Sequence, residues 1–278
     1  MRIDAHQHFW RYRPDTHAWI DASMTALRRD FLPHDLEPLL REAGFDGCVA
    51  VQAQQDVGET EWLLALADRH PFIRGVVGWV DLRAPDVRDR LARIAAHPRL
   101  CGIRHVVQDE PDGFMLRDDF QRGIAALAEF DLAYDILIYA RQLPEAAHLV
   151  EAFPSQRFVI DHIAKPAIRK GEIDPWRRDI TAIARHPNVY CKLSGMVTEA
   201  DWRSWTAAGL APYIDVALDA FGPDRLMLGS DWPVCTLAGA YSTVLSVAAD
   251  RIAARAPAAL APVFGENAAA FYHLDAPA

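Results

Sequence analysis

Two histidines one residue apart, His6 and His8, are the first residues of this sequence that could do chemistry. In an extended backbone alternate side chains share one face, so the two imidazoles should point the same way, together with Asp4. Two converging imidazoles can hold a metal ion, polarise a carbonyl group or move protons. A pair of surface histidines without such a role is the alternative, and partner residues elsewhere in the chain decide between the two.

Other polar residues stand at the ends of short apolar runs further along the chain. They are Gln52 and Gln54, Arg104 and His105, Tyr139, Asp161 and His162, Lys192 and Ser194, and Ser230 and Asp231. Each has an ordinary structural explanation when taken alone, because a lysine can extend its charged end to solvent and an aspartate can cap a helix. Their repeated position at the ends of the runs instead indicates one common site.

Eight apolar runs alternate with segments of helical spacing, which is typical of repeated strand–helix units. The runs cover residues 2–6, 47–53, 75–80, 100–105, 133–139, 158–162, 189–194 and 225–231. Several are continuously apolar, as expected of parallel strands that are covered by helices. Helices are predicted over residues 33–43, 59–69, 87–96 and 120–130. Eight such units in 278 residues predict one (β/α)8 barrel domain over residues 1–278.

A doubly wound open sheet is the alternative fold for a chain that alternates strands and helices. That fold commonly carries a glycine-rich phosphate loop, and this sequence has neither G-x-G-x-x-G nor a phosphate loop after any of the runs. The segment 11–31 is long and irregular. Because it follows the first strand, it is expected either to cover the site or to form a surface loop.

The composition argues against nucleic acid or an anionic membrane surface as the main partner. The formal net charge is −9 and the isoelectric point is about 5.6, whereas nucleic-acid-binding proteins usually carry a basic patch. No apolar run approaches the roughly 18 residues of a membrane span. The four cysteines form no C-x-x-C pair, and free thiols favour a cytoplasmic location.

A barrel places its chemistry at the carboxyl ends of the strands, and its last strand lies beside its first. Asp231, at the end of the eighth run, is therefore predicted to lie next to His6 and His8, with His162 across the mouth. Such a group suits hydrolysis. The carboxylate can take a proton from water, and the imidazoles, or a cation that they hold, can stabilise negative charge on a carbonyl oxygen.

Four segments together resemble the amidohydrolase superfamily. They are residues 4–8 (DAHQH), 161–166 (DHIAKP), 229–233 (GSDWP) and 265–268 (GENA). The chain looks most like the lactonase branch, which includes sugar lactonases of the L-fuconolactonase and L-rhamnono-lactonase kind and the pyrone-dicarboxylate lactonase. The resemblance spans nearly the whole chain and implies the (β/α)8 barrel that the strand count also predicts.

The fifth strand departs from the pattern of the metal-dependent members, which place a lysine or histidine at its end. This chain has Asp135-Ile136-Leu137-Ile138-Tyr139-Ala140 there, so no binuclear site is expected. His6, His8 and Asp231 remain, and three ligands with one water can hold a single zinc or another divalent cation. The resemblance implies that lactonases include members that work without a metal, so no cofactor is expected to be required.

The expected activity is the opening of a lactone, a small-molecule substrate, by water. Asp231 is expected to act as the general base and to return the proton to the ring oxygen. His6, His8 and His162 are expected to donate hydrogen bonds to the carbonyl oxygen and to stabilise the tetrahedral oxyanion. A metal-dependent hydrolase or decarboxylase on the same barrel, and a barrel that binds sugars without catalysis, are the alternatives.

The substrate is expected to be a neutral sugar lactone such as an aldonolactone. Arg104 would orient a hydroxyl or carboxylate group through its planar guanidinium. The other candidates for the polar groups of the substrate are Gln52, Gln54, Tyr139 and Lys192. Amides and hydroxyls outnumber cations in this set, which favours a polyhydroxylated lactone over a dicarboxylate lactone of the pyrone type.

Overall fold

The computed structural model describes residues 1–274 and has eight parallel strands, each paired with its neighbours in chain order. The strands are β1 (Ile3–Gln7), β2 (Gly47–Val51), β3 (Ile73–Gly78), β4 (Leu100–Val106), β5 (Ala133–Leu137), β6 (Phe158–Ile160), β7 (Val189–Leu193) and β8 (Leu226–Leu228). Each strand overlaps one of the eight apolar runs. The predicted (β/α)8 barrel is therefore confirmed.

Helices connect the strands and cover the outside of the barrel. Within residues 1–274 the α-helices are α1 (Pro33–Glu42), α2 (Val57–Arg69), α3 (Val87–Ala95), α4 (Asp118–Leu127), α5 (Leu143–Ala152), α6 (Trp176–Ile183), α7 (Met196–Glu199), α8 (Ala207–Phe221), α9 (Tyr241–Arg255) and α10 (Asn267–Tyr272). The four predicted helices correspond to α1–α4. None of the helices in this part of the chain is long and apolar enough to span a membrane.

Short 3-10 helices fill several of the connections, and one π-helical turn precedes α10. The 3-10 helices that border the site are Ala22–Leu27, Val107–Asp109, Asp161–Ala164 and Val234–Leu237, and the π-helical turn is Pro262–Glu266. Further 3-10 helices are Phe114–Leu116, Ala128–Phe130, Ala140–Gln142, Ile168–Lys170, Pro223–Arg225 and Pro257–Ala259. The segment 11–31 returns to the barrel rim through a bridge between Trp10 and Phe31.

Local sequence explains where α1 and α2 begin and where α1 ends. The carboxylate of Asp35 accepts a hydrogen bond of 2.9 Å from the backbone N–H of Leu32 and caps α1. Pro33 is the first residue of this helix. Its missing N–H costs nothing there, because an N–H in the first turn has no acceptor within the helix. Gly44 follows α1 with a φ of +72°, a conformation that favours glycine. Asp56 caps α2 by accepting a hydrogen bond from Gly58 N–H at 3.0 Å.

The core has two layers, one between the strands and the helices and one inside the barrel. The inner layer consists of small and medium apolar side chains from the strands, among them Ala5, Val49 and Val77, and of two aromatic residues from α10, Phe271 and Tyr272. The C-terminal helix therefore closes the amino-terminal end of the barrel. The carboxyl end stays open, which leaves the polar strand ends facing a cavity.

The barrel closes at its mouth through backbone hydrogen bonds between β1 and the residues after β8. Asp231 N–H donates to the carbonyl oxygen of His6 at 2.8 Å, and His8 N–H donates to that of Trp232 at 2.7 Å. Gln7 and Trp232 form the matching parallel bridge. These bonds fix the backbone of the two histidines against the backbone of Asp231.

The expectation that Asp4 shares a face with His6 and His8 is wrong. Its carboxylate accepts hydrogen bonds from the Ser230 N–H at 2.9 Å, the Ser230 hydroxyl at 2.6 Å and the Tyr241 hydroxyl at 3.0 Å. The pairing of β1 with β2 shifts register between Asp4 and Gln7. Because this irregularity breaks the alternation of side chains, His6 turns inward and Asp4 outward, where it ties β1 to the end of β8 and to α9.

We expect Asp4→Ala to lower the free energy of unfolding by about 3 kcal/mol or more, because each buried donor left without an acceptor costs about 1–3 kcal/mol. Denaturant unfolding measures this change. Asp250→Ala on the exposed face of α9 is the matched control and should stay within about 0.5 kcal/mol of the wild type. An Asp4→Ala variant as stable as Asp250→Ala would contradict the role of Asp4 in barrel closure.

Candidate active site at the mouth of the barrel

A cavity of about 390 Å³ opens at the carboxyl ends of the strands. Its polar lining residues are His8, Arg104, Gln108, Asp109, Tyr139, His162, Lys165, Thr198, Glu199 and Asp231. Its apolar lining residues are Trp19, Met24, Ala53, Val106, Leu137, Trp202, Val234 and Leu237. Trp19 and Met24 belong to the segment 11–31. This segment therefore covers one side of the cavity, which is one of the two roles expected for it from the sequence.

One carboxylate oxygen stands among three imidazoles on the floor of this cavity. Asp231 Oδ1 lies 3.4 Å from His8 Nε2, 3.9 Å from His6 Nε2 and 3.9 Å from His162 Nε2. The predicted proximity of these four residues is therefore confirmed. All four side chains are buried, and His8, His162 and Asp231 line the cavity, whereas His6 lies behind them without exposed surface.

Neighbouring groups position the two histidines at the end of β1. His8 Nδ1 lies 2.8 Å from the carbonyl oxygen of Val51, and because a carbonyl only accepts, His8 carries a proton at Nδ1. Its Nε2 faces His6 Nε2 at 3.2 Å. Gly229 makes room for His6, since a Cβ at that position would come within 2.6 Å of His6 Cβ.

His162 owes its position to an unusual backbone after β6. Residues 162–165 all have positive φ, with φ 53° at His162, and this turn brings the imidazole back over the barrel mouth. Its Nδ1 lies 2.9 Å from the hydroxyl of Ser194. Gly195 packs against the ring, and a Cβ there would approach His162 Nδ1 to 2.5 Å. Burial lowers the pKa of His162 to about 4, so the ring is neutral near pH 7.

The charge of Asp231 is set by its surroundings. Burial disfavours the ionised form, but His162 and the other two imidazoles outweigh burial and hold the pKa of this carboxyl well below its usual range. Burial likewise lowers the pKa of His6, well below its usual value. The floor of the cavity thus presents an ionised carboxylate beside neutral imidazole, an arrangement that can accept a proton from water.

A buried network of charges lies directly beneath His6. Lys192 Nζ lies 2.5 Å from Asp135 Oδ2, 3.0 Å from Asp161 Oδ1 and 3.2 Å from His6 Nδ1. The hydroxyl of Tyr272 donates to Asp135 from below, at 2.8 Å. Burial opposes the charge of Lys192, but Asp135 and Asp161 outweigh it and raise the pKa of the lysine. Lys192 is therefore a buried ammonium group.

Arg104 connects this network to the wall of the cavity. Its Nη1 donates to Asp161 Oδ2 at 3.1 Å, and its Nη2 donates to Gln52 Oε1 at 3.1 Å and to the backbone carbonyl of Gln52. Its Nε is buried and has no hydrogen-bond partner among the described residues. Arg104 is thus held in a fixed orientation by Asp161 and Gln52.

The five residues expected to bind polar groups of a substrate do not all face the cavity. Arg104 and Tyr139 line it. Gln52 is buried behind Arg104, and Lys192 is buried beneath His6, so neither belongs to the lining. Gln54 hydrogen-bonds to His17 at 3.2 Å and lines a separate surface cavity. Position at a strand end therefore identified the region, but it did not determine which way each side chain points.

Sequence reasoning missed Glu199, which pairs with Lys165 in the wall of the cavity. Lys165 Nζ lies 3.7 Å from Glu199 Oε1, and it also stands over the ring of Tyr139 at 5.5 Å. Burial raises the pKa of Glu199. Lys165 can be recognised in the sequence from its place after the sixth strand. Glu199 lies in α7, beyond the end of β7, and only the backbone path between β7 and α8 brings it to the cavity.

The three atoms His6 Nε2, His8 Nε2 and Asp231 Oδ1 are spaced as ligands of one metal ion would be. Their separations are 3.2, 3.4 and 3.9 Å. A tetrahedral zinc with ligand distances of about 2.0–2.1 Å places its ligands about 3.3 Å apart. The residues present therefore fit a single zinc ion. The carboxylate that strand five supplies, Asp135, is held by Lys192 and Tyr272 instead.

Comparison with known proteins gives close relatives over the full chain. The Amidohydrolase family matches residues 3–274. An L-fucono-1,5-lactonase from Burkholderia multivorans is 44% identical over 293 residues, covering 100% of this chain and 98% of that protein. An L-fucono-1,5-lactonase from Burkholderia ambifaria is 40% identical, covering 100% of this chain and 97% of that protein.

Solved structures agree with this relationship. The crystal structure of an amidohydrolase from Burkholderia multivorans with bound zinc is 44% identical, covers 99% of this chain and 100% of its own, and superimposes with a TM-score of 0.94. A second crystal structure of a Burkholderia multivorans amidohydrolase, with bound HEPES, covers the same shares at 43% identity and a TM-score of 0.95. This chain belongs to the amidohydrolase family.

Proposed function

We propose that this chain is a lactonase that hydrolyses a sugar lactone of the L-fucono-1,5-lactone type to the aldonic acid. The observation that carries the proposal is the position of Asp231 Oδ1, within 3.4–3.9 Å of three imidazole nitrogens on the floor of a small-molecule cavity. The two relatives that bear the name L-fucono-1,5-lactonase, at 44% and 40% identity, support the choice of a sugar lactone.

Asp231 supplies the base in this mechanism. Water bound beside its Oδ1 loses a proton as it attacks the lactone carbonyl, and the ionised state of the carboxylate makes it ready to accept that proton. The C–O bond to the ring oxygen then breaks. Protonated Asp231 returns the proton to the leaving ring oxygen, so the base is regenerated and the product is the open-chain acid.

His6, His8 and His162 surround the place where the oxyanion forms. The proton of His8 lies on Nδ1 and is used by the carbonyl of Val51, so the hydrogen bonds that stabilise the carbonyl oxygen come from His6 and His162. Removing one such donor typically costs about 10²–10³ in kcat. Arg104, which Asp161 and Gln52 hold in place, lines the cavity together with Tyr139, and the two side chains orient polar groups of the substrate.

The lining of the cavity suits a neutral polyol with one apolar substituent. Glu199 and Asp109 join Asp231 as carboxylates, against the cations Arg104 and Lys165. A dicarboxylate lactone would bring two more negative charges to a wall that has three carboxylates and two cations. Carboxylates, the lysine and the tyrosine can instead hydrogen-bond to hydroxyl groups.

An apolar side of the same cavity fits the methyl group of a 6-deoxy sugar. It is formed by Met24, Val234 and Leu237, with Trp19 and Trp202 beside them. Burying one methyl group against such a surface contributes about 0.8 kcal/mol. L-Fuconolactone carries this methyl group, whereas most aldonolactones carry a hydroxymethyl group there.

We propose further that catalysis does not require a metal ion. A divalent cation bound by His6, His8 and Asp231 would act as a Lewis acid on the carbonyl oxygen. A lactone is an activated ester, however, and Asp231 with the imidazole donors supplies both a base and oxyanion stabilisation.

We also infer a reducing, cytoplasmic location, because Cys48, Cys101, Cys191 and Cys235 are all free, buried thiols.

The proposed function is tested with a panel of lactones and a pH indicator that reports acid release. We expect L-fucono-1,5-lactone to be hydrolysed with a higher kcat/KM than its hydroxymethyl counterpart, because the methyl group packs on the apolar side of the cavity. A pyrone dicarboxylate lactone serves as the charged comparison and should be the poorer substrate. Preferential turnover of the dicarboxylate, or no turnover of any aldonolactone, would contradict the proposal.

The same assay, run on protein freed of metal by chelation and verified by elemental analysis, tests the need for a cation. We expect the rate of lactone hydrolysis to be retained, since Asp231 and the imidazoles remain in place. Loss of activity on chelation together with recovery on addition of zinc would instead establish a metal-dependent hydrolase.

We expect Asp231→Asn to lower kcat by about 10²–10⁴, the usual contribution of a general base. Asparagine keeps the shape of the side chain but accepts protons poorly from water. Stopped-flow or indicator assays on L-fucono-1,5-lactone measure the change, with Asp118→Asn on the exposed first turn of α4 as the control. Near wild-type turnover by Asp231→Asn would exclude Asp231 as the base.

A further inference from the structure

Lys165 and Glu199 are charged side chains in the wall of the cavity to which the proposed mechanism gives no catalytic role. Lys165 Nζ lies 3.7 Å from Glu199 Oε1, which is longer than a hydrogen bond. The side chains are only 19% and 24% exposed, and both line the cavity. The two charges therefore balance each other, but the space between them leaves both atoms accessible to a third group.

The backbone that carries Glu199 is fixed by its neighbours, so the carboxylate has a defined place in the wall. The Thr198 hydroxyl donates to the carbonyl oxygen of Gly195 at 2.7 Å. Trp202 Nε1–H donates to the carbonyl oxygen of Thr198 at 2.9 Å, and Val197 is buried in the same short helix. A binding group held in this way has little conformational freedom to lose when a ligand arrives.

The ammonium group of Lys165 is also held in place and supports the charge of Glu199. Its Nζ stands over the ring of Tyr139, 5.5 Å from the ring centre, which is within the range of a cation–π contact. Burial raises the pKa of Glu199, and Lys165 opposes this shift by favouring the ionised carboxylate. Lys165 thus presents N–H donors, and Glu199 presents an acceptor, to the same part of the cavity.

A hydroxyl group has the chemistry that the space between these two side chains requires. It can accept a hydrogen bond from an ammonium group and donate one to a carboxylate at the same time. An oxygen atom about 2.8 Å from each charged atom fits between atoms that are 3.7 Å apart. A carboxylate in this place would be repelled by Glu199, and a methyl group would remove water from both ions without giving either a partner.

We propose that Lys165 and Glu199 form the subsite for one ring hydroxyl group of the lactone, which accepts a hydrogen bond from Lys165 Nζ and donates one to Glu199 Oε1. Glu199 is then a specificity-determining residue, because a lactone without this hydroxyl leaves the partly buried ions unpaired with substrate. The inference rests on the proposed function for the ligand being a lactone. The choice of a hydroxyl group rests on the two side chains alone.

Two lactones that differ only in their ring hydroxyl groups test the subsite by kinetics. δ-Hexalactone has the ring size and the methyl substituent of L-fucono-1,5-lactone but no hydroxyl group. We expect Glu199→Leu to lower kcat/KM on L-fucono-1,5-lactone by about 10–10², as for a lost hydrogen bond to a charged group, and to leave kcat/KM on δ-hexalactone unchanged. An equal fall on both lactones, or no fall on L-fucono-1,5-lactone, would overturn the proposal.

Glu151→Leu is the matched control, because it removes an exposed carboxylate of α5 far along the chain from the cavity residues. It should leave kcat/KM unchanged on both lactones. Lys165→Met removes the donor on the other side of the hydroxyl group and should repeat the pattern of Glu199→Leu. This second variant keeps the proposal testable if Glu199→Leu does not fold.

The double variant Lys165→Met with Glu199→Leu tests whether one hydroxyl group connects the two side chains. Each single variant already breaks that connection, so we expect the double variant to lose little more kcat/KM on L-fucono-1,5-lactone than either single variant. The double variant also keeps the net charge of the protein. Additive losses would show two independent contacts and contradict a shared hydroxyl group.

The lactam analogue of L-fucono-1,5-lactone, whose ring amide resists hydrolysis, measures binding without turnover. In calorimetry we expect its affinity to fall by about 10–10² in Glu199→Leu. Unchanged affinity, or no binding to the wild-type protein, would overturn the subsite. A wild-type protein that hydrolyses neither lactone would contradict the proposed function, and the lactam measurement would still decide whether Glu199 binds a hydroxyl group.

Discussion

The closure of the barrel at its mouth is the constraint on which the rest of the site depends. Asp231 N–H donates to the His6 carbonyl, and His8 N–H donates to the Trp232 carbonyl, so residues more than 220 positions apart share one ladder. Asp4 strengthens the same junction from the outer side through Ser230. Without these bonds neither His6 nor His8 would have a defined distance from the carboxylate of Asp231.

A second constraint comes from the charges buried beneath that junction. Isolated ions are costly to bury, and the cost is offset only when partners and hydrogen bonds are complete. Lys192 lies among Asp135, Asp161 and His6, and Arg104 completes the pairing of Asp161. Because Lys192 and Asp161 lie beside the imidazole of His6, the network orients this side chain while remaining buried.

The fold and the centre of the candidate site could be predicted from the sequence. Eight apolar runs were enough for the barrel, and barrel closure alone placed Asp231 beside His6 and His8. Asp4 could not be placed, because a register shift in β1 breaks the alternation of side chains. Glu199 could not be found either, since it reaches the cavity through the backbone path after β7. Gln52 and Gln54 required side-chain directions that strand-end position does not provide.

We propose that Asp231 and the imidazoles meet at the reacting carbon of a lactone. A crystal structure of the metal-free protein with the product L-fuconate bound tests this most directly. We expect the carboxylate of the product to lie on the floor of the cavity, with one oxygen within hydrogen-bond distance of His6 Nε2 and the other beside Asp231. A product whose carboxylate binds elsewhere in the cavity, away from these two side chains, would contradict the account.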